Sequence, residues 1–199
     1  MTRSIPQSRQ RKGVITLDAL SRVFPEPMPF AVRSPLVVHH LLGRGNRLIV
    51  SFAGVGFANG PEIVPKAEFV GTASNYGENH ALFVSDVSRS WMNGPDVADQ
   101  IVDLIQSYCE DHDIQEIMAL GNSMGGFMAI VLAELTHLDC VLAFAPQFSA
   151  KKDLVPEENR WERYRSAISN WRFDHVGKMA EKKPAIMWFT GTKTVSYRI

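Results

Sequence analysis

The chain has 199 residues, enough for one domain with a real core. Its 21 Lys and Arg balance 21 Asp and Glu, so no net field favours nucleic acid or an acidic membrane surface. Hydrophobic residues make up 45% of the chain, yet no apolar run approaches the ~18 residues of a membrane span.

The chain opens on MTRSIPQSRQRKG, basic and polar, with no apolar stretch behind it. This argues against a secretory signal and reads as a solvated terminus. Two extended segments, Val14–Leu20 and Leu36–Leu42, flank the Pro-rich stretch Phe24–Pro35. Proline bars that stretch from a helix interior or a central strand, so it reads as an irregular crossing.

From Arg47 the pattern becomes regular. Arg47–Ala53 (RLIVSFA) is a continuous apolar run ending in Gly54-Val55-Gly56, as a buried parallel strand would. His80–Val87 is a second such run, with Asp86 near its end. Pro95–His112 carries Val97, Ile101, Leu104, Ile105 and Tyr108 at helical spacing. Glu116–Leu120 reads as a third strand, Met124–Leu135 as a helix apolar nearly all round, and Cys140–Ala145 as a fourth strand stopped by Pro146. Trp161–Trp171 looks helical, and Pro184–Thr190 is a fifth strand ending at Gly191. Strands alternating with helices, each strand apolar throughout, imply an α/β fold: a mostly parallel sheet with helices on both faces. Ligands of such sheets bind at the carboxyl ends of the strands, where Gly54–Gly56, Asp86, Ser123, Pro146 and Gly191 all fall. The chain reads as a single domain over residues 1–199, with 147–183 as a cap insertion. Cys109 and Cys140 lie outside any CxxC pattern and read as buried thiols of a reducing, cytoplasmic compartment.

Gly121-Asn122-Ser123-Met124-Gly125 matches G-x-S-x-G between a buried strand and a buried helix. A serine on such a turn is held in strained backbone, and glycines two before and two after remove clashes with the flanking elements. The helix N-terminus behind it favours a developing oxyanion. The competing reading is a Gly-rich turn that holds a phosphate. It lacks the second glycine of a dinucleotide fingerprint and a P-loop lysine.

The elbow in this context resembles the α/β-hydrolase superfamily of serine hydrolases. The resemblance runs from Arg47 to Gly191, supported by the Gly54-Val55-Gly56 turn and by Phe83-Val84-Ser85-Asp86 followed by Arg89-Ser90-Trp91. The order of elements also resembles small bacterial hydrolase-like proteins found with surface-polysaccharide and secretion systems. The superfamily resemblance implies Ser123 as nucleophile, the Met124 N–H as one oxyanion donor, and the N–H of Gly54 or Val55 as the other. Asp86 and Trp91, near the same strand ends, read as pocket-lining residues, with a turn or helix cap for Asp86 and packing under the helix start for Trp91 as the plainer readings. The implied reaction is acyl transfer from an ester, thioester or amide, as a hydrolase or acyltransferase, with a small-molecule acyl substrate and no cofactor or metal.

The family's acid and base are not in their usual places. An aspartate is expected near Lys193 or Thr194, and the chain ends at Ile199, before a last strand and helix would form. After Ser123 the histidines are His137, roughly 20 Å away along its helix, and His175 in the cap insertion. His175 is therefore the candidate general base, against the plainer reading of a cap or surface histidine. His39, His40 and His80 sit at strand ends, and His112 reads as part of a solvated turn. The alternative function is a non-catalytic or truncated binding protein without a complete triad. An open edge at Pro184–Thr190 and an uncovered apolar helix lead to an expectation of homo-oligomers. The insertion also carries Trp161, Tyr164, Trp171 and Phe173 beside Arg160, Arg163, Arg165 and Arg172. It reads as an amphipathic helix on the sheet, with reception of an acyl or sugar-linked acidic ligand as the alternative.

Overall fold

A computed structural model describes residues 26–56, 64–177, 185–190 and 193–197. The extended segment expected at Val14–Leu20 lies outside them. Eight strands form one sheet: β1 (Met28–Arg33), β2 (Leu36–Leu41), β3 (Arg47–Phe52), β4 (His80–Asp86), β5 (Glu116–Asn122), β6 (Cys140–Phe144), β7 (Ala185–Thr190) and β8 (Lys193–Tyr197). Their spatial order is β1-β2-β4-β3-β5-β6-β7-β8. The central five, β4 to β7, run parallel, and β1, β2 and β8 pair antiparallel at the two sides. The helices are α1 (Val70–Ser74), α2 (Val97–Asp111), α3 (Met124–Leu135) and α4 (Glu162–Arg165).

The parallel strands are apolar throughout because both faces are covered. Leu48, Val50 and Phe52 of β3 and Leu82 and Val84 of β4 point into the larger core with α2 and α3. The alternate residues Ile49, Ala81 and Phe83 point into a smaller core closed by Ala73 of α1 and by Phe69 and Val70. Helix α3 carries no polar face because it needs none. Phe127 to Ala133 are fully buried, packed in one cluster with α2 and with Ala150, Phe173 and Val176 of the 147–177 segment. The cover expected from another chain is thus supplied internally, which removes one of the two grounds for expecting homo-oligomers.

Three expectations need correction. The Pro-rich stretch is not merely a crossing: Met28–Arg33 forms edge strand β1, with the ladder irregular between Pro29 and Ala31. Proline is tolerated there because an edge strand and a bulge both spare its missing N–H. The helix expected over Trp161–Trp171 shrinks to Glu162–Arg165. Ser166, Ser169 and Asn170 follow it, residue types that compete with the helix for backbone hydrogen bonds. Beyond β7 the chain turns back as β8, so β8 rather than β7 forms that edge of the sheet. It runs antiparallel to β7.

Candidate active site

The β5–α3 turn places Ser123 where the sequence pattern puts it. Its backbone sits at φ 55° and ψ −115°, outside the regions ordinary residues occupy. Three contacts hold it there. Its N–H donates to Phe144 C=O at 2.9 Å, and its C=O accepts from Phe127 N–H at 3.1 Å and Gln147 N–H at 3.3 Å. The glycines are required by space. A Cβ on Gly121 would lie 2.2 Å from the Gly125 carbonyl carbon, and one on Gly125 would lie 2.2 Å from Phe52 O. Ser123 stands at the N-cap position of α3, yet its hydroxyl makes no capping hydrogen bond. A serine there ordinarily spends its oxygen on the helix N–H groups. Here the hydroxyl is left for something else.

The loop after β3 comes up beside this turn: the nearest backbone to a Cβ on Gly54 would be Asn122 O, at 3.4 Å. The two donors left open by the sequence now differ. Gly54 N–H donates to Glu68 Oε1 at 3.0 Å, so it is engaged. Val55 N–H has no acceptor among the described residues, while its C=O accepts from the buried Arg89 Nε at 3.4 Å. Glu68 also fixes the strand below, its C=O accepting from Ser51 Oγ at 2.9 Å. Burial pushes the Glu68 carboxyl above its ordinary range, and the Gly54 N–H only partly offsets this.

Asp86 is fully buried and is spent on structure. Its Oδ1 accepts from Ser88 N–H and Oγ, and its Oδ2 from Ser90 N–H and Oγ, at 2.5 to 2.9 Å. It therefore shapes the turn that carries Arg89 and Trp91 and presents no free lone pair to a pocket. Trp91 is also fully buried, and its Nε1 donates to Gln147 Oε1 at 2.7 Å. Trp91 thus holds Gln147, whose own N–H holds Ser123.

His175 reaches this neighbourhood indirectly. Its ring stacks on Phe148, centroids 5.2 Å apart, and Phe148 follows Gln147. Gly177 N–H donates to His175 Nδ1 at 3.0 Å, so the neutral ring carries its proton on Nε2. Asp174 Oδ1 stands 3.8 Å from that Nε2, too far for a hydrogen bond and on the wrong nitrogen to orient a base. His137 is at the far end of α3, exposed, 3.6 Å from Asp139.

His80 begins β4, His39 and His40 lie near the end of β2 and His112 follows the end of α2, as expected, but His40, His80 and His112 meet around Tyr108. The His80 and His112 rings lie tilted with centroids 5.1 Å apart, Tyr108 lies 4.3 Å from His112, and His40 approaches Tyr108 at 6.1 Å. Burial and the nearby His112 lower the affinity of both His40 and His80 for protons. This group lies at the amino ends of the parallel strands, away from Ser123. Among the described residues no cluster of His, Cys, Asp and Glu has the geometry to hold a metal. Cys109 and Cys140 are half-buried thiols that are not joined in a disulfide. No described helix is long and apolar enough to cross a membrane.

The sheet order and the elbow decide the architecture, and solved structures share it. The chain has the α/β-hydrolase fold. It is similar to the capsule O-acetyltransferase of Neisseria meningitidis serogroup A, at 14% identity and a TM-score of 0.58, over 80% of this chain and 72% of that one. A mutant of that enzyme in complex with CoA matches with a TM-score of 0.56, at 14% identity, over 82% of this chain and 74% of that one. The acylaminoacyl peptidase of Pyrococcus horikoshii matches at 16% identity and a TM-score of 0.56, over 90% of this chain but 34% of that one. No family model and no curated protein matches the sequence.

Sequence reasoning missed Glu68, Arg89 and Gln147 as parts of the site. Glu68 sits in an irregular strap before α1 and carries no periodic signal. Gln147 directly follows Pro146, the residue that stops β6, and that position after a parallel strand was its one available signal.

Proposed function

We propose that the protein transfers acyl groups through Ser123, as a hydrolase or an acyltransferase. The observation that supports this most is the strained, glycine-flanked serine whose hydroxyl is not used to cap its helix. Ser123 Oγ attacks the carbonyl of an ester, thioester or amide and the leaving group departs with a proton. Water or an acceptor hydroxyl or amine then takes the acyl group and restores Ser123. The oxyanion is met by Met124 N–H and by Val55 N–H, because Gly54 N–H is already given to Glu68. The base in this reading is His175. It acts once its ring releases Gly177 N–H, so that Nε2 presents a lone pair to the hydroxyl. The likeness to a capsule O-acetyltransferase and to its complex with CoA supports transfer to a hydroxyl as well as hydrolysis.

The test is intact-mass and peptide analysis after exposure to p-nitrophenyl acetate. An acetyl group on Ser123, absent from Ser123→Ala and slowed in His175→Ala, agrees with the reading. No adduct on the folded wild type overturns it. The Nδ1–Gly177 hydrogen bond, with no acid at that nitrogen among the described residues, favours a second reading, a binding protein on the same fold. The same experiment separates the two.

A further inference from the structure

Arg165 is the least expected charge in the chain. The sequence puts it on the polar side of a helix, yet its side chain is 3% exposed. Its Nη2 donates to Glu162 Oε2 at 2.6 Å, whereas Nε and Nη1 are buried without a hydrogen-bond partner among the described residues. Glu158 is within electrostatic reach, but both its oxygens are held by Arg160. A buried guanidinium with two idle nitrogens is costly and asks for an acceptor.

Arg165 lines a cavity of about 150 Å³ together with Lys151, Lys152, Asp153, Glu162, Ser166 and Trp171. The volume is several times the ~30 Å³ share of one water. Three cations face two carboxylates, which leaves one positive charge over. Lys152 Nζ donates to the neutral Asn159 Oδ1 at 2.7 Å and stands 4.0 Å from the Glu162 carboxylate, so its charge is only weakly paired. Cations arriving from two separate segments, with a hydroxyl between, suit a tetrahedral group with several acceptor oxygens better than a two-oxygen carboxylate.

We infer that this cavity binds the phosphate group of a ligand. Lys151 lies four residues beyond Gln147, the residue bonded to Ser123, so at most roughly 14 Å of chain separates the two. Tyr164, next to Arg165, lies under Arg89, whose Nε holds the Val55 peptide. The site itself does not depend on Ser123 being a nucleophile.

Isothermal titration calorimetry of the full chain with sodium phosphate at low ionic strength tests it, with sodium acetate at matched ionic strength as the second arm. Saturable phosphate binding is expected, weakened about tenfold or more in Arg165→Met and several-fold in Lys152→Ala, a substitution at an exposed position. Glu162→Gln, which removes the negative charge beside Arg165 and leaves an amide oxygen in its place, should tighten it several-fold and keeps the test open if Arg165→Met does not fold. No saturable binding by the wild type, or affinities unchanged in Lys152→Ala and Glu162→Gln, overturns the inference. Acetate binding as tightly as phosphate overturns the phosphate assignment. Because binding is read without any acyl substrate, this site and acyl transfer at Ser123 can fail separately.

Discussion

Gly125→Ala adds one methyl group at the tightest point of the elbow. The new Cβ would lie 2.2 Å from Phe52 O, 2.9 Å from Phe52 C and 3.1 Å from Ala53 O. All three are backbone atoms of β3 and its end, so no side chain can swing aside. Either α3 or β3 must shift. Forced overpacking costs about 1–3 kcal/mol and sometimes more, and this contact belongs at the upper end. Against it stands a gain of about 1 kcal/mol from replacing glycine by alanine within a helix. A net loss of about 2 kcal/mol lowers Tm by roughly 4–8 °C in a chain of this length. Gly126→Ala is the control. Its Cβ would meet Pro146 at 3.1 Å, where a few tenths of an ångström suffice, and it carries the same helical gain. It should change Tm by no more than about 3 °C, within the ~1 kcal/mol the two effects leave. Thermal unfolding followed by circular dichroism decides between them. Equal Tm values for the two variants, or a Gly125→Ala variant as stable as the wild type, would refute the close approach of α3 to β3.

Glu68→Ala frees Gly54 N–H and loosens the loop that carries Val55, so reaction of Ser123 with an active ester should slow about tenfold, whereas Glu68→Gln keeps an acceptor and most of the rate. Equal rates in all three proteins would remove Glu68 as a positioning residue. The raised affinity of the Glu68 carboxyl for a proton means that its contribution to stability is present at acid pH and lost as pH rises above about 4.5. Urea unfolding should therefore show Glu68→Gln gaining on the wild type between pH 4.5 and 7, and a constant difference contradicts this. His40 and His80 are shifted the other way, so their contribution is present above the ordinary histidine value near 6.5 and is lost as pH falls below it. NMR titration should find both below 6.5 and moving upward in His112→Gln, and values above 6.5 would contradict the packing of the three rings. Trp91→Phe leaves Gln147 Oε1 without its donor and should cost about 1–2 kcal/mol in chemical unfolding, while no loss would show that the indole bond is not used.

The parallel sheet was legible because its strands are apolar on both faces and each ends in a small or turn-forming residue. The elbow was legible because the clash at Gly121 and Gly125 is local and leaves a fixed spacing in sequence. Edge strands β1 and β8 were not, since an edge position relaxes the alternation and tolerates the prolines that usually signal a loop. The site's supports were hidden for a different reason. Glu68 meets Gly54 across 14 residues, Trp91 meets Gln147 across 56, and the histidine rings come from β2, β4 and the end of α2. No periodicity records such contacts. Arg165 misled most: a charge at helical spacing predicts a solvated face, and only the packing of 147–177 against the core shows it buried.

The central claim is that the hydroxyl of Ser123 is reactive. The direct measurement is labelling of the folded full chain with a fluorophosphonate probe, followed by peptide mapping. The account predicts a single adduct on Ser123 that is absent from Ser123→Ala. A folded wild type that stays unlabelled, or a label that persists in Ser123→Ala, would contradict it.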